Sequence, residues 1–164
     1  MPREARYELD GVRLCDLQKN KDERGFFVEL LRNDWSEFLG GNNIMQISLS
    51  VSLPGVVRAW HRHTRGQIDY LVVIKGSVKI VAYDELRGSS TYGKIAEILA
   101  SEKQLQIVRI PGCYWHGTKN VGNKPSHLIY LMTSLYDYGD PDEDRRPWDD
   151  PRIIDTRTNQ PYQW

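Results

Sequence analysis

Short apolar runs, separated by glycine, proline and polar turns, follow one another along most of the chain. The clearest pair covers residues 56–60 and 70–74, with a polar turn between them and Gly76 after the second. β-Branched and aromatic runs bounded in this way are typical of strands. About ten such runs, with a turn roughly every 8–12 residues, predict an all-β sandwich or barrel rather than a βαβ fold.

Residues 44–51 alternate strictly between polar and apolar positions. Gln46, Ser48 and Ser50 fall on one face of the predicted strand, and Ile47 and its apolar neighbours fall on the other. A strand with a polar second face either lines a wet cavity or lies on the outside of the protein. The pattern alone leaves both possibilities open.

Little of the chain predicts a helix. The best candidate covers residues 34–39, where Asp34 can cap the free amides and Glu37 follows three residues later, as in a capping box. The charged residues 19–24 are predicted to form a loop, and residues 25–31 the strand that follows it.

The length and composition predict one domain over residues 1–164, with the acidic, proline-rich residues 137–164 as an irregular arm packed on the barrel. Basic and acidic residues balance at 22 each, so no bulk charge attracts nucleic acid or an anionic membrane. No apolar run reaches the length of a membrane span, and the N-terminus does not resemble a signal peptide. We therefore expect a cytoplasmic protein with no nucleic-acid or membrane partner, in which Cys15 and Cys113 are reduced.

Two histidines mark the centre of the chain. His61 and His63 are two residues apart on a predicted strand, so their side chains point to the same face. Imidazoles titrate near neutral pH, which suits them to proton transfer or to metal binding. A solvated polar face explains the same spacing, and for His63 it is the leading interpretation.

The spacings around these histidines resemble the two cupin motifs. Residues 55–76 follow the first motif, with Gln67 where a glutamate is usual, and residues 111–120 resemble the second motif, which contains His116. The resemblance implies a jelly-roll barrel that encloses a small ligand or an ion. A metal-dependent cupin isomerase or oxygenase is therefore one alternative function, with the ligand set His61, His63, Gln67 and His116.

A narrower resemblance covers roughly residues 20–153. It is carried by DERGFFVE at 22–29, QxSxS at 46–50, GVVRAWH at 55–61, SSTYG at 89–93 and IPGx3HG at 110–117. In this order the blocks resemble the dTDP-4-dehydrorhamnose 3,5-epimerase family of the cupin superfamily. The resemblance implies an isomerase of polysaccharide biosynthesis that needs no cofactor and acts on a dTDP-linked 4-keto-6-deoxy-hexose. It also implies a homodimer with an exchanged N-terminal strand.

The same resemblance implies roles for individual residues. His61 matches the family's base, and Tyr130 matches the acid that returns a proton from the opposite face at C3, C5 or both. Arginines match positions that hold the diphosphate, where a guanidinium suits paired oxygens. The positions matched to substrate binding, or lying beside such positions, are Arg24, Phe27, Glu29, Gln46, Ser48, Arg58, His63, Gln67, Asp69, His116 and Tyr136.

The chain departs from the family pattern in four ways. Arg62-His63 replaces a Tyr-Gln or Phe-Gln pair, Asp69 stands where the family has a lysine that stabilises the enolate, and Ser48 replaces an asparagine. The segment that carries the family's orienting carboxylate has no clear match, and Asp149, Asp150 or Asp155 could substitute for it. These departures keep a second alternative open, namely a non-catalytic protein that binds a nucleotide sugar.

Overall fold

The computed structural model describes residues 4–164, and these residues form fifteen strands and one short helix. In chain order the elements are β1 (Glu4–Arg6), β2 (Arg13–Asp16), β3 (Lys19–Asp22), β4 (Gly25–Val28), α1 (Ser36–Leu39), β5 (Gln46–Ser52), β6 (Val57–Arg62), β7 (Ile68–Lys75), β8 (Ser77–Tyr83), β9 (Ile95–Ser101), β10 (Gln106–Pro111), β11 (Trp115–Asn120), β12 (Ser126–Met132), β13 (Asp144–Arg145), β14 (Ile154–Asp155) and β15 (Gln160–Pro161). The predicted all-β class is confirmed.

Two antiparallel sheets form the body of the protein. The six-stranded sheet has the order β1-β2-β10-β7-β12-β5, and the five-stranded sheet has the order β13-β6-β11-β8-β9. A core of buried aliphatic side chains fills the space between them, including Leu71 and Val73 from β7 and Ile80 from β8. In this single chain β1 pairs with its own β2.

Strand β7 is apolar throughout because both of its faces are covered. Leu71 and Val73 point into the core between the sheets, whereas Tyr70 and Val72 pack on the opposite side against Phe38 of α1 and its neighbours. A strand buried on both faces shows a continuous apolar run rather than alternation. The tyrosine hydroxyl keeps a partner there, since it donates to a backbone carbonyl of α1 at 2.9 Å.

The predicted helix is present, but its predicted cap is wrong. The helix begins at Ser36 after Trp35, and no side chain caps it. Asp34 instead accepts hydrogen bonds from Arg32 at 2.8 and 2.7 Å, which takes its carboxylate away from the helix amides. Between Glu4 and Trp164, no helix is long and apolar enough to cross a membrane.

The predicted charged loop over residues 19–24 is also wrong in part. Lys19–Asp22 forms β3, which pairs with β4 in a two-stranded ribbon. Both faces of this ribbon are largely exposed, and Phe26 and Phe27 on β4 are 55% and 68% accessible. A ribbon without a buried face shows no apolar alternation, so its first strand resembles a loop in the sequence.

Strand β5 is an edge of the six-stranded sheet, and its alternation is confirmed. Its polar residues face the interior cavity described below. The apolar residues Ile47, Leu49 and Val51 on its other row are 66%, 60% and 45% exposed. The described part of the chain thus leaves an apolar row on the outer face of this edge.

The C-terminal residues 137–164 lie against the five-stranded sheet. β13 pairs with β6, and the backbones of Trp60 and Arg146 exchange hydrogen bonds of 2.9 and 3.1 Å. Farther along, Ile153 and Tyr162 are buried with the Trp60 side chain. This packing places the residues of the β13 segment at the mouth of the cavity.

Candidate active site

A cavity of about 400 Å³ lies between the two sheets. The six-stranded sheet contributes polar residues of β5 and residues of β7 and β12, and the five-stranded sheet contributes residues of β6 and β11. The chain on either side of β13 contributes the mouth. The polar and charged lining residues are Gln46, Ser48, Ser50, Arg58, His61, His63, Gln67, Asp69, His116, Thr118, Tyr130, Tyr136, Glu143 and Arg145.

His61 is held by a carboxylate from the C-terminal segment. Its Nδ1 lies 2.7 Å from Oε1 of Glu143, and the other oxygen of Glu143 accepts a hydrogen bond of 2.6 Å from Arg145. An ionised carboxylate is only an acceptor, so Nδ1 carries the proton and Nε2 keeps its lone pair. The arrangement fixes His61 in the tautomer that a general base requires.

The surroundings of this pair set its protonation. Burial lowers the pKa of His61, and the nearby His116 and Arg145 lower it further, while Glu143 acts in the opposite direction. The pKa of Glu143 is also lowered, because the contacts with Arg145 and His61 outweigh the effect of burial. At neutral pH the imidazole is therefore neutral and the carboxylate ionised, as proton abstraction requires.

Tyr130 enters the cavity from the opposite sheet. It lies on β12, paired with Ser48 of β5 on one side and Leu71 of β7 on the other. Burial raises the pKa of Tyr130 to about 12. The phenol stays protonated at neutral pH and can donate a proton without a charged acid nearby.

A third group of titratable side chains surrounds Asp69. Its Oδ2 lies 3.3 Å from Nε2 of His116 and 3.7 Å from Nε2 of His63, and its Oδ1 accepts a hydrogen bond of 2.8 Å from Gln67. All four side chains are buried. The pKa of Asp69 lies well below its ordinary value, since the contacts with His116 and His63 outweigh its burial.

Two expectations about the histidines need correction. The leading interpretation of His63 as solvated is wrong, because its side chain is buried and Nδ1 lies 2.5 Å from the carbonyl of Asp142. The alternative metal set with His61 is not the one that the structure assembles, since the His61 ring is not among the ligand-type side chains whose atoms lie within 4.8 Å of one another in the described residues. Among the described residues, the group placed to hold a metal ion is His63, Asp69 and His116.

Cationic and amide side chains complete the lining. Arg58 donates to the hydroxyl of Ser52 at 2.9 Å and to the carbonyl of Val51 at 3.1 Å, which holds its guanidinium against the cavity wall. The side-chain oxygen of Gln46, Oε1, accepts a hydrogen bond of 2.8 Å from the backbone N–H of Tyr136, which joins β5 to the mouth of the cavity. The matched positions 46, 48, 58, 61, 63, 67, 69, 116, 130 and 136 thus all line one cavity.

Three matched positions do not reach this cavity. Arg24 is exposed and pairs with Asp22 of its own ribbon, and Phe27 is exposed on β4. Glu29 lies just after this strand and accepts a hydrogen bond of 2.7 Å from Arg32. Within one chain, these three residues and the cavity are separate.

The carboxylate that contacts His61 does not come from the three predicted positions. Asp149 is exposed, while Asp150 and Asp155 each bind an arginine two residues farther along, Arg152 and Arg157. Glu143 takes the role because β13 pairs with β6 and brings the residue before it to His61. The complementary charges of the two segments, such as Arg62 with Asp144 at 2.6 Å, are the sequence signal that could have indicated this pairing.

Comparison with known proteins agrees with this arrangement. A family model described as dTDP-4-dehydrorhamnose 3,5-epimerase matches residues 6–157. The chain belongs to this epimerase family. The resemblance inferred from the sequence blocks is confirmed, and so are the enzyme class and the action on nucleotide sugars that define this isomerase family.

Two relatives of the epimerase family cover almost the whole chain. A probable low-salt glycan biosynthesis epimerase, Agl13, of Haloferax volcanii is 46% identical over 141 residues, which is 86% of this chain and 89% of the relative. The spore coat polysaccharide biosynthesis protein SpsL of Bacillus subtilis is 37% identical over 147 residues, covering 88% and 93% of the two chains. Both names place these relatives in polysaccharide or glycan biosynthesis.

Solved structures of family members share the fold. A dTDP-6-deoxy-D-glucose-3,5-epimerase of Legionella pneumophila, in complex with dTDP-4-keto-L-rhamnose, has a TM-score of 0.83 and 26% identity, covering 92% of this chain and 80% of that one. The 4-keto-6-deoxy sugar epimerase NovW of Streptomyces spheroides has a TM-score of 0.83, 28% identity and coverage of 98% and 81%. The predicted cupin-type jelly roll is confirmed.

Proposed function

We propose that this chain epimerises a dTDP-linked 4-keto-6-deoxy-hexose at C3, C5 or both by proton transfer between His61 and Tyr130. The observation that supports this most directly is the His61–Glu143 pair, which lines the same cavity as a protonated tyrosine from the facing sheet. The sugar class is supported by the relative from Legionella pneumophila, whose structure contains dTDP-4-keto-L-rhamnose.

The chemistry follows from the two protonation states. A ketone acidifies the C–H bond next to it, and the neutral imidazole of His61 takes that proton while the electron pair moves to form an enolate. The phenol of Tyr130 then gives a proton to the same carbon from the other side, and the ketone re-forms. Because the base and the acid stand on facing sheets, the new C–H bond has the inverted configuration.

The charged lining suits the rest of such a substrate. The Arg58 guanidinium is fixed by two hydrogen bonds and lines the cavity, and Arg145 lies at the mouth. Guanidinium groups bind paired phosphate oxygens well. We assign these arginines to the diphosphate, and the Gln46 and Ser48 side chains to the sugar hydroxyls.

Solvent isotope exchange tests the two roles separately. In D2O we expect His61→Ala to abolish deuterium incorporation into the keto sugar, because no base remains. Tyr130→Phe should retain exchange but block inversion, because the carbanion can be reprotonated only from the side of His61. NMR of the sugar measures both outcomes.

Matched controls make this assay specific. His127→Gln changes the histidine on β12 that does not line the cavity, and Tyr92→Phe changes an exposed tyrosine. Both controls should exchange and invert at the wild-type rate. Exchange at the wild-type rate in His61→Ala would show that the base assignment is wrong.

We also propose that the chain is a homodimer formed through the outer face of β5. Three exposed apolar residues of this face, Ile47, Leu49 and Val51, form a row on a sheet edge. Exposed apolar rows on edge strands are typical of protein interfaces. A single domain and a cytoplasmic location, both expected from the sequence, fit such a small biosynthetic enzyme.

The exposed ribbon β3–β4 has a role in this assembly. Arg24 and Phe27 are matched to substrate binding, yet they point into solvent in their own chain. We propose that they reach the cavity of the partner subunit, where an aromatic ring and a guanidinium suit a nucleotide. Each active site of the dimer would then contain residues of both subunits.

A further inference from the structure

Three ligand-type atoms converge in the cavity wall beside the His61–Glu143 pair. They are Nε2 of His63, Nε2 of His116 and Oδ2 of Asp69, and all lie within 4.8 Å of one another. They come from three separate places in the fold, namely the end of β6, β7 and β11. All three side chains are buried, at 8%, 5% and 3% exposure.

The backbone contacts fix the direction of both histidine lone pairs. Nδ1 of His116 lies 2.9 Å from the carbonyl of Tyr114, and Nδ1 of His63 lies 2.5 Å from the carbonyl of Asp142. A carbonyl accepts only, so both Nδ1 atoms carry hydrogen, and in the neutral imidazoles both Nε2 atoms are acceptors that face Asp69. Histidines that bind metals are oriented in the same way, through the second ring nitrogen.

Two imidazole nitrogens and a carboxylate oxygen that face one another suit a cation between them. A proton on one imidazole satisfies only one of the two contacts with Oδ2 of Asp69. A divalent ion satisfies all three atoms together, and it neutralises the buried carboxylate as well. The amide of Gln67 lies 2.8 Å from Oδ1 and 3.2 Å from Nε2 of His63, so it holds the carboxylate without covering Oδ2.

The spacing of these atoms agrees with a coordination shell. Two ligand atoms about 2.1 Å from a tetrahedral ion are about 3.4 Å apart. The observed separations from Oδ2 of Asp69 are 3.3 Å to His116 and 3.7 Å to His63. Two imidazoles and one carboxylate suit zinc and its neighbours in the first transition row, with a remaining position open to the cavity.

The local backbone holds this group rigidly. A Cβ atom at Gly112 would lie 2.7 Å from Cβ of His63 and 2.6 Å from the carbonyl of Gln67, so only glycine fits there. The same glycine exchanges backbone hydrogen bonds with these two residues, at 2.7 and 2.9 Å. The backbone at His63 and at Gln67, two residues before Asp69, is therefore held in place without an ion.

We propose that His63, Asp69 and His116 form a binding site for one divalent transition-metal ion of the zinc class. Asp69 supplies the carboxylate, and His61 is not one of the ligands because it lies outside the group of atoms within 4.8 Å of one another. Ion binding at these three residues does not require that the chain be an active epimerase. The proton transfer assigned to His61 and Tyr130 likewise does not require the ion.

Cobalt(II) titration of untagged, chelator-treated full-length protein tests the site. We expect one equivalent to bind with the visible absorption of a four- or five-coordinate ion, and zinc(II) to compete for the same site. Zinc at about 100 times its dissociation constant should raise the Tm by about 5–10 °C. Asp69→Asn and His116→Gln should each weaken cobalt binding at least tenfold.

Two further variants separate this site from adventitious binding. His127→Gln and Cys113→Ser remove a histidine outside the cavity and an exposed thiol, and both should bind cobalt as the wild type does. Circular dichroism identifies any variant that is unfolded. The number of cobalt ions bound by the wild-type protein tests the proposal even if a variant fails to fold. Wild-type protein that binds no stoichiometric cobalt, or cobalt binding unchanged in a folded Asp69→Asn variant, would overturn the proposal in favour of an imidazolium–carboxylate pair.

Discussion

The contact between Glu143 and His61 should account for a measurable share of the rate. Glu143→Gln replaces the carboxylate with an amide of the same shape, whose oxygen still accepts the hydrogen bond from Nδ1 of His61. Arg145 competes for that single oxygen. Where the oxygen faces Nδ1 the tautomer is kept, and the lost interaction is that between the negative charge and the imidazolium that forms in the transition state. The charge effect is therefore the smallest loss expected, because an amide that turns its NH2 group toward Nδ1 also removes the required tautomer.

The size of the effect follows from the geometry. Two unit charges about 4 Å apart attract by about 4 kcal/mol at an effective dielectric constant of about 20. Arg145 lies 2.6 Å from the other carboxylate oxygen and offsets part of that charge. A net loss of about 2 kcal/mol from the charge alone corresponds to a kcat at least about 30-fold lower.

Deuterium uptake into the keto sugar is the direct assay, because it reports proton abstraction before any inversion. The acidic limb of the pH–rate profile should also move. Glu143 raises the pKa of His61 against the lowering by burial, so its neutralisation lowers the pKa. The limb of Glu143→Gln should therefore lie at lower pH than that of the wild type.

Asp149→Asn is the matched control, since it makes the same carboxylate-to-amide change at an exposed position of the same segment. It should leave the rate and the pH profile unchanged. A Glu143→Gln variant that exchanges deuterium within twofold of the wild-type rate would refute the role of the pair. An acidic limb of the Glu143→Gln profile that lies at higher pH than that of the wild type would refute the electrostatic explanation of this role.

Four further outcomes are expected. Arg145→Ala should move the acidic limb to higher pH, because Arg145 lowers the pKa of His61; an unmoved limb would contradict this. If each site is shared between subunits, mixing Arg24→Ala with His61→Ala subunits should restore about a quarter of the wild-type activity, because half of the dimers then have one intact site of two. Mixing His61→Ala with Tyr130→Phe subunits should restore none, because both residues belong to the same cavity. Ile47→Asp should give a monomer by light scattering, and Leu99→Asp, on the exposed edge of the other sheet, should not. Gly117→Ala should lower the Tm by about 5–10 °C, since its Cβ would lie 2.8 Å from the Arg58 carbonyl, and Gly139→Ala should leave it unchanged.

Much of the cavity could be predicted because the matched blocks lie on long strands. Side chains alternate along a strand, so the sequence alone predicts which residues share a face with His61 on β6 and which form the polar row of β5. Alternation cannot tell whether a face is covered, and for this reason His63 was expected in solvent. Its burial depends on Gln67 and Asp69, which supply polar partners from the next strand.

The misplaced carboxylate has a different cause. β13 has two residues, too few for any periodic pattern, and it lies far along the chain from the strand with which it pairs. Glu143 is also one of many acidic residues in its segment, so composition does not distinguish it. The ribbon β3–β4 was missed in part for a related reason, since strands without a buried face carry no apolar signal.

One short peptide near the C-terminus holds both members of the His61–His63 pair. Glu143 contacts the first ring and the carbonyl of Asp142 contacts the second, while the Asp142 carboxylate accepts from the backbone of Thr64 at 2.8 Å. During synthesis this peptide leaves the ribosome after every long strand is complete. Catalytic competence should therefore require this peptide to dock after the barrel strands have been made, and a brief local opening of it should silence the enzyme while the barrel stays intact.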